Sequence, residues 1–214
     1  LGYTHIFWDW NGTLIDDLDC SMKAVNCILA KRGREPITKE QYYAYIDTPI
    51  KRFYDHLFDF TDITMDDIMY EFNYFYRQNI HTFPLMDGAQ KVLDELDKAG
   101  YVQIILSSSS NEMIIPFAEK TGVIGYFDHI LGSSDNLVLG KIERAVSFIK
   151  ENRINPENCV LIGDTLHDFD TAQAIGCFCI LIPNGHQSRA DLLSTGAAVV
   201  DDIKLVPDFL KKGI

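Results

Sequence analysis

The 214-residue sequence is short of basic residues: 19 lysines and arginines face 31 aspartates and glutamates, for a net charge of −12. Such a chain repels the phosphate backbone of nucleic acid and the anionic face of a membrane, so neither is expected as a partner. A small anion is not excluded, because one metal ion and one lysine reverse the field locally. Zinc-finger cysteine spacing is also missing. Cys20, Cys27, Cys159, Cys177 and Cys179 are odd in number, and Cys177 and Cys179 alternate across Phe178 as same-face residues of a buried strand do. A reducing, cytoplasmic setting is the expectation. No apolar run reaches the roughly 18 residues of a membrane span, and the first residues lack the basic and apolar stretches of a signal peptide. No internal repeat or low-complexity segment is present. What the sequence does have is 47% apolar residues, enough for a sizeable core in one domain or a main domain with a small insertion.

From Thr4 the chain reads THIFWDWNGTL, a short apolar and aromatic strand that runs into Asp9 and then a glycine-containing turn. Further strand signals lie at residues 102–106, 129–131, 159–162, 177–182 and, weakly, 197–200. Between them are helical patterns. Residues 87–98 place Val92, Leu93 and Leu96 on one face, and residues 142–150 place Ala145, Val146 and Ile149 together. Alternation of this kind predicts an α/β fold, a Rossmann-like and mostly parallel sheet between helices, with ligands beyond the carboxyl ends of the strands. Residues 15–84 break the rhythm with helical segments at 18–32, 38–45, 49–58 and 64–78 and no clear strand. The expected division is therefore a core of residues 1–14 and 85–214 and a small α-helical cap, residues 15–84, inserted after the first strand. Seven tyrosines and six phenylalanines between Tyr42 and Phe83 suit the packing of a small core, or else an aromatic wall facing a substrate.

Asp9, Asn11, Gly12 and Thr13 on their own make an ordinary turn. Three later features add chemistry at neighbouring strand ends: Ser107–Ser110 after an apolar run, Lys141 before a helix, and Gly163, Asp164 and Asp168 after another apolar run. Three close carboxylates repel one another without a counter-ion. Magnesium, a hard cation with oxygen ligands, would answer this through Asp9, Asp164 and a backbone carbonyl, with Asp168 acting directly or through a water. Ser107, directly after its strand, is positioned to donate to a phosphate oxygen, with Ser108 beside it. Ser108–Ser110 could instead cap the helix that begins near Asn111. Lys141 would offset both the acids and a developing phosphoryl charge, or be a solvated helix-start lysine.

Asp9-Trp10-Asn11-Gly12-Thr13-Leu14, Ser107, Lys141 and Gly163-Asp164-Thr165-Leu166-His167-Asp168 together resemble the four motifs of the haloacid dehalogenase-like hydrolase superfamily. The inserted segment resembles the helical cap of its phosphoglycolate phosphatase-like branch. The resemblance implies a magnesium-dependent phosphatase of a small phosphorylated metabolite. Asp9 would attack phosphorus to form an aspartyl-phosphate, Ser107, Ser108 and Lys141 would hold the phosphoryl group, and Asp9, Asp164 and the Asn11 carbonyl would ligate the metal. Cap residues Asp47, Lys51 and Arg52 would select the substrate; for Lys51 an ordinary solvated lysine is the plainer reading. Asn11 departs from the pattern, since most phosphatases of this family carry an aspartate there as acid and base, a role an amide cannot perform. Two alternatives follow: a phosphate-binding regulatory protein with little turnover, or a phosphonate carbon–phosphorus hydrolase, which the Asp9-Trp10 beginning resembles.

Overall fold

Runs such as His5–Trp8 and Cys159–Gly163 contain almost no solvent-seeking side chain, and only a strand covered on both faces accommodates them. The computed structural model, which describes residues 2–133, 140–183 and 185–211, forms two compact units, Leu1–Asp16 with Leu85–Ile214, and Asp17–Pro84. In chain order, β1 (His5–Trp8) is followed by α1 (Leu18–Ala30), α2 (Lys39–Tyr45), α3 (Lys51–Asp55) and α4 (Met65–Asn79). Then come α5 (Ala89–Lys98), β2 (Val102–Ser110), α6 (Asn111–Lys120), β3 (His129–Ser133) and α7 (Lys141–Glu151). The chain ends with β4 (Cys159–Gly163), α8 (Leu166–Ile175), β5 (Phe178–Leu181), α9 (Arg189–Ser194), β6 (Ala198–Val199) and α10 (Val206–Lys211).

The first unit holds one six-stranded sheet in the order β3-β2-β1-β4-β5-β6, and every neighbouring pair is parallel. The fold is thus α/β and Rossmann-like. Phe7, Ile104 and Leu161 pack with Ala145 of α7 and Ala172 of α8 in one buried cluster that also takes in Cys159, Cys177 and Cys179. Gln103 is the polar exception within β2, and its amide is fully used: it accepts from Trp8 Nε1 at 3.1 Å and donates to the carbonyls of Leu93 (3.0 Å) and Tyr126 (3.3 Å). Trp8 pairs with Ile105 on one side and Ile162 on the other. That register brings the residues just beyond, Asp9, Ser107 and Asp164, out at the same edge of the sheet.

Three expectations are corrected. First, β2 does not stop at residue 106: it shifts register after Leu106 and runs to Ser110, which pairs with Ser133. Second, Val146 is exposed, while Lys141, Ala145 and Ile149 form the buried stripe of α7, a spacing whose first member is charged and so invisible to apolar periodicity. Third, α3 is limited to Lys51–Asp55, because the amides of His56 and Leu57 donate to Phe53 and Tyr54, three residues back, and tighten the end into a 3-10 turn.

In the second unit α1 packs against α4, and Arg32 Nη2 meets Glu71 Oε1 at 2.7 Å. Thr38 and Thr64 start α2 and α4 with reciprocal capping boxes. Tyr42, Phe53, Tyr54 and Phe58 fill the core, and Tyr76 is buried with its hydroxyl donating to Asp17 Oδ2 at 2.7 Å. Tyr70 and Tyr74, one turn apart on α4, remain 73% and 60% exposed, so the aromatic enrichment is only partly a matter of packing.

No helix among the described residues is long and apolar enough to cross a membrane. All five cysteines are free, and Cys27 is exposed whereas the others are buried. Burial pushes the thiols of Cys20 and Cys159 up to about 11 and that of Cys177 up to about 12. A thiol reagent at neutral pH should therefore modify one cysteine rapidly in the native protein and the other four only on unfolding. Replacing that residue, Cys27→Ser, should abolish the rapid phase; a rapid phase that survives would contradict the packing.

Candidate active site

The loop after β1 is wound tightly. Leu14 and Ile15 both donate their amides to Trp10 O at 3.0 Å, and Gly12 donates to Ile15 O at 3.0 Å. Gly12 has φ +74°, and a Cβ there would lie 2.4 Å from Asp164 Oδ2 and 2.7 Å from His186 Cδ2. Only glycine fits both the left-handed backbone and this approach. Asp9, which opens the loop, is anchored by its amide to Ile162 O of β4 at 2.8 Å.

Lys141, the first residue of α7, is buried and bridges two carboxylates: Nζ lies 2.5 Å from Asp9 Oδ1 and 2.6 Å from Asp168 Oδ1. The other Asp168 oxygen accepts from the amides of Asp164 (3.2 Å) and Thr165 (3.0 Å) and from Thr165 Oγ1 (2.7 Å). Thr165 and Asp168 thereby form the capping box that starts α8. Asp164 accepts from Thr13 Oγ1 at 3.0 Å and from the His186 amide at 2.6 Å. Oxygens of Asp9, Asp164 and Asp168 all lie within 4.8 Å of one another.

With all three carboxylates ionised, the single ammonium leaves a formal excess of two negative charges in a buried space. Burial, and then the neighbouring Asp168 and Asp164 charges, hold the Asp9 carboxyl well above its ordinary range despite Lys141. Burial likewise raises Asp164 to about 6. At Asp168 burial is outweighed by Lys141 and by its hydrogen bonds, so its carboxyl falls below the usual range. Burial works against the Lys141 ammonium, but Asp168 and Asp9 more than offset it and raise its pKa. The all-oxygen donor set and the two uncompensated charges fit a hard divalent cation.

The serine run divides its tasks. Ser107 is buried, its Oγ accepting from the Ser109 amide at 3.0 Å and its carbonyl from Arg144 Nη2 at 2.7 Å. Ser108 is half-buried. Ser109 Oγ donates to Asn11 Oδ1 at 2.7 Å and ties the β1 loop to β2. Ser110 stands at the N-cap position of α6, but its side chain makes no capping bond, contrary to the capping role considered from sequence; its buried hydroxyl has no hydrogen-bond partner among the described residues. The extension of β2 aims this residue by its pairing with Ser133 rather than by the helix.

Asp9, Asn11, Ser107, Ser108, Lys141, Asp164 and Asp168 thus belong to the first unit, and four of them are in direct or near contact. Asp47, Lys51 and Arg52 belong to the second unit, where Arg52 Nη1 meets Asp47 Oδ2 at 3.3 Å, Lys51 pairs with Asp55, and Lys51 Nζ sits 4.6 Å from the centre of the Phe60 ring. Sequence reasoning missed the contributions of Thr13, Ser109, Arg144 and His186. Thr13 sits inside the Asp9 motif and was available as a donor. His186 contributes a backbone N–H, which no residue type announces.

The close approach at Gly12 gives a direct comparison, because Gly122 has the same φ of +74° with open space around its Cβ position. Gly122→Ala should lower stability by about 1–2 kcal/mol, the cost of the left-handed backbone alone. Gly12→Ala should cost measurably more in thermal or urea unfolding, since Asp164 must also move. Equal costs would show that the loop does not depend on this contact.

Residues 6–182 match the family described as haloacid dehalogenase-like hydrolase. Among curated proteins, the chain is 24% identical to a phosphoglycolate phosphatase of Pseudomonas fluorescens over 96% of this chain and 79% of that one. It is 28% identical to a phosphoglycolate phosphatase of Xylella fastidiosa (87% and 82%), and 23% identical to a 5'-nucleotidase of Pseudomonas aeruginosa (90% and 88%). Among solved structures, a haloacid dehalogenase-like family protein of Streptococcus pneumoniae superposes with a TM-score of 0.81 at 22% identity, covering 97% of this chain and 98% of that one, a likeness of fold. With the family matched from β1 through β5, the chain belongs to the haloacid dehalogenase-like hydrolases and is a phosphatase-like hydrolase.

Proposed function

We propose that the protein hydrolyses a small phosphorylated metabolite, with Asp9 as the nucleophile and magnesium as the cofactor. The observation that carries this reading is Lys141, whose ammonium holds Asp9 and Asp168 together beside Asp164 in a buried space with two unbalanced negative charges. Curated relatives named for phosphoglycolate and 5'-nucleotide hydrolysis support a small phosphomonoester as the substrate class. The all-free cysteines support a reducing, cytoplasmic setting.

Asp9, Asp164 and the backbone carbonyl of Asn11 would hold the metal, which when bound supplies charge neutralisation at the phosphoryl oxygens. Asp168 fixes Lys141 and the start of α8, and would act on the metal directly or through a water. Lys141 restrains the Asp9 carboxylate and offers its positive charge to the transferring group. Ser107 and Ser108, at the end of β2, offer donors to the remaining phosphoryl oxygens. Asp9 attacks phosphorus to give an aspartyl-phosphate, which water then hydrolyses to restore the carboxylate. Residues 15–84, a helical insertion between β1 and β2, are read as a cap in which Asp47, Lys51 and Arg52 choose the substrate.

A panel of phosphorylated metabolites assayed with magnesium and with chelator tests this. Phosphate release should require the metal, fall by about 10³-fold or more in Asp9→Ala and by about 10²–10³-fold in Lys141→Met. Lys51→Ala and Arg52→Ala should chiefly raise KM. Tight phosphate binding with no turnover across the panel would instead make the protein a phosphate-binding regulator.

A further inference from the structure

We propose that the substrates of this site are acyl phosphates and other phosphoryl compounds whose leaving group is stable as an anion near neutral pH, and that the amide of Asn11 sets this choice. The inference rests on the Asp9 phosphatase reading and departs from the alkyl phosphomonoesters that the relatives' names suggest as substrates.

Two residues beyond the nucleophile, at the same end of the sheet, position 11 carries an amide, which has no proton to exchange. Its oxygen is already engaged by the Ser109 hydroxyl at 2.7 Å, so the side chain is held by β2 rather than swinging away to admit another group. Among the described residues, the charged groups that surround Asp9 are committed as well. Lys141 bridges Asp9 and Asp168, the second Asp168 oxygen takes three donors, and both Asp164 oxygens accept from Thr13 and the His186 amide. None of these is arranged to deliver a proton to a departing oxygen and take one back. Among the described residues, a rival source is the His186 ring beside Gly12, and it forms one arm of the test.

Chemistry that needs no such proton balances without it. An Asp9 oxygen bonds to phosphorus, the bond from phosphorus to the leaving oxygen breaks, and its electron pair departs on a carboxylate. Water then attacks phosphorus, the Asp9–phosphorus bond breaks to regenerate the aspartate, and both protons of the water stay with phosphate as dihydrogen phosphate. An alkyl phosphate cannot follow this route readily, because its alkoxide must be protonated as it leaves. The missing assistance is worth about 10²–10⁴ in rate.

The test compares kcat/KM, with magnesium throughout, for acetyl phosphate, a set of aryl phosphates of graded phenol acidity, and glycerol phosphate. The proteins are wild type, Asn11→Asp, His186→Asn and Asp9→Asn, with peptide mass analysis verifying the amide at residue 11, since Asn-Gly sequences convert slowly to aspartate. Wild-type rates should fall steeply as the leaving group becomes more basic. Asn11→Asp should raise glycerol phosphate, relative to acetyl phosphate, by about 10²–10⁴-fold, flattening the dependence. A shallow wild-type dependence, an equal gain across the series, or a dependence that steepens only in His186→Asn would overturn the inference while leaving the Asp9 phosphatase reading intact. Hydrolysis that survives Asp9→Asn, or no hydrolysis by wild type or Asn11→Asp, would overturn both.

Discussion

The ammonium of Lys141 is shared between carboxylates that arrive from two different strand ends, Asp9 after β1 and Asp168 four residues beyond Asp164. Burying an ion pair is costly, and removing one partner from it typically costs about 3–5 kcal/mol because the other charge is left uncompensated. The surrounding architecture keeps all three charges satisfied. α7 begins on Lys141, α8 is capped by Asp168, and the tight turn at Gly12 lets Asp164 approach the β1 loop. With all three carboxylates ionised, the same arrangement carries a formal excess of two negative charges, which the proposed magnesium would offset.

The proposed catalytic groups lie mostly at strand ends because the strands themselves are saturated. β1 and β4 bury their side chains on both faces and spend their backbone groups on the ladder. What remains for chemistry is the residues just past β1 and β4 and the last residues of β2 after its register shift, and the register decides which of these meet. Trp8 opposite both Ile105 and Ile162 is therefore a functional constraint as much as a structural one. A slip of one residue would turn Asp9 away from Lys141.

Much of this was legible in the sequence because apolar runs and punctuation are local signals. The strands, the position of Asp9, and the alternation that implies a parallel sheet all follow from such runs. The misses share a physical origin in longer-range satisfaction of polar groups. Ser107–Ser110 look like a loop, yet β3 extends the strand beneath them. Lys141 was legible by its charge, but its burial was not, because a search for apolar residues skips that helical position. Tyr70 and Tyr74 carry the same composition signal as buried Tyr76 but lie on the exposed side of α4. The hold on Asp164 by the His186 amide arises from chain geometry, not residue identity.

The central claim is that the buried excess of two negative charges beside Lys141 is a magnesium site, and binding tests it without reference to any substrate. Thermal unfolding and titration calorimetry of the metal-free protein with magnesium chloride, set against sodium chloride of equal ionic strength, measure it directly. Binding to the folded state should raise the melting temperature as magnesium is added, with one site per chain in the calorimeter, and both signals should disappear in Asp164→Asn. A melting temperature and heat that do not respond to magnesium in the wild-type protein would contradict the account.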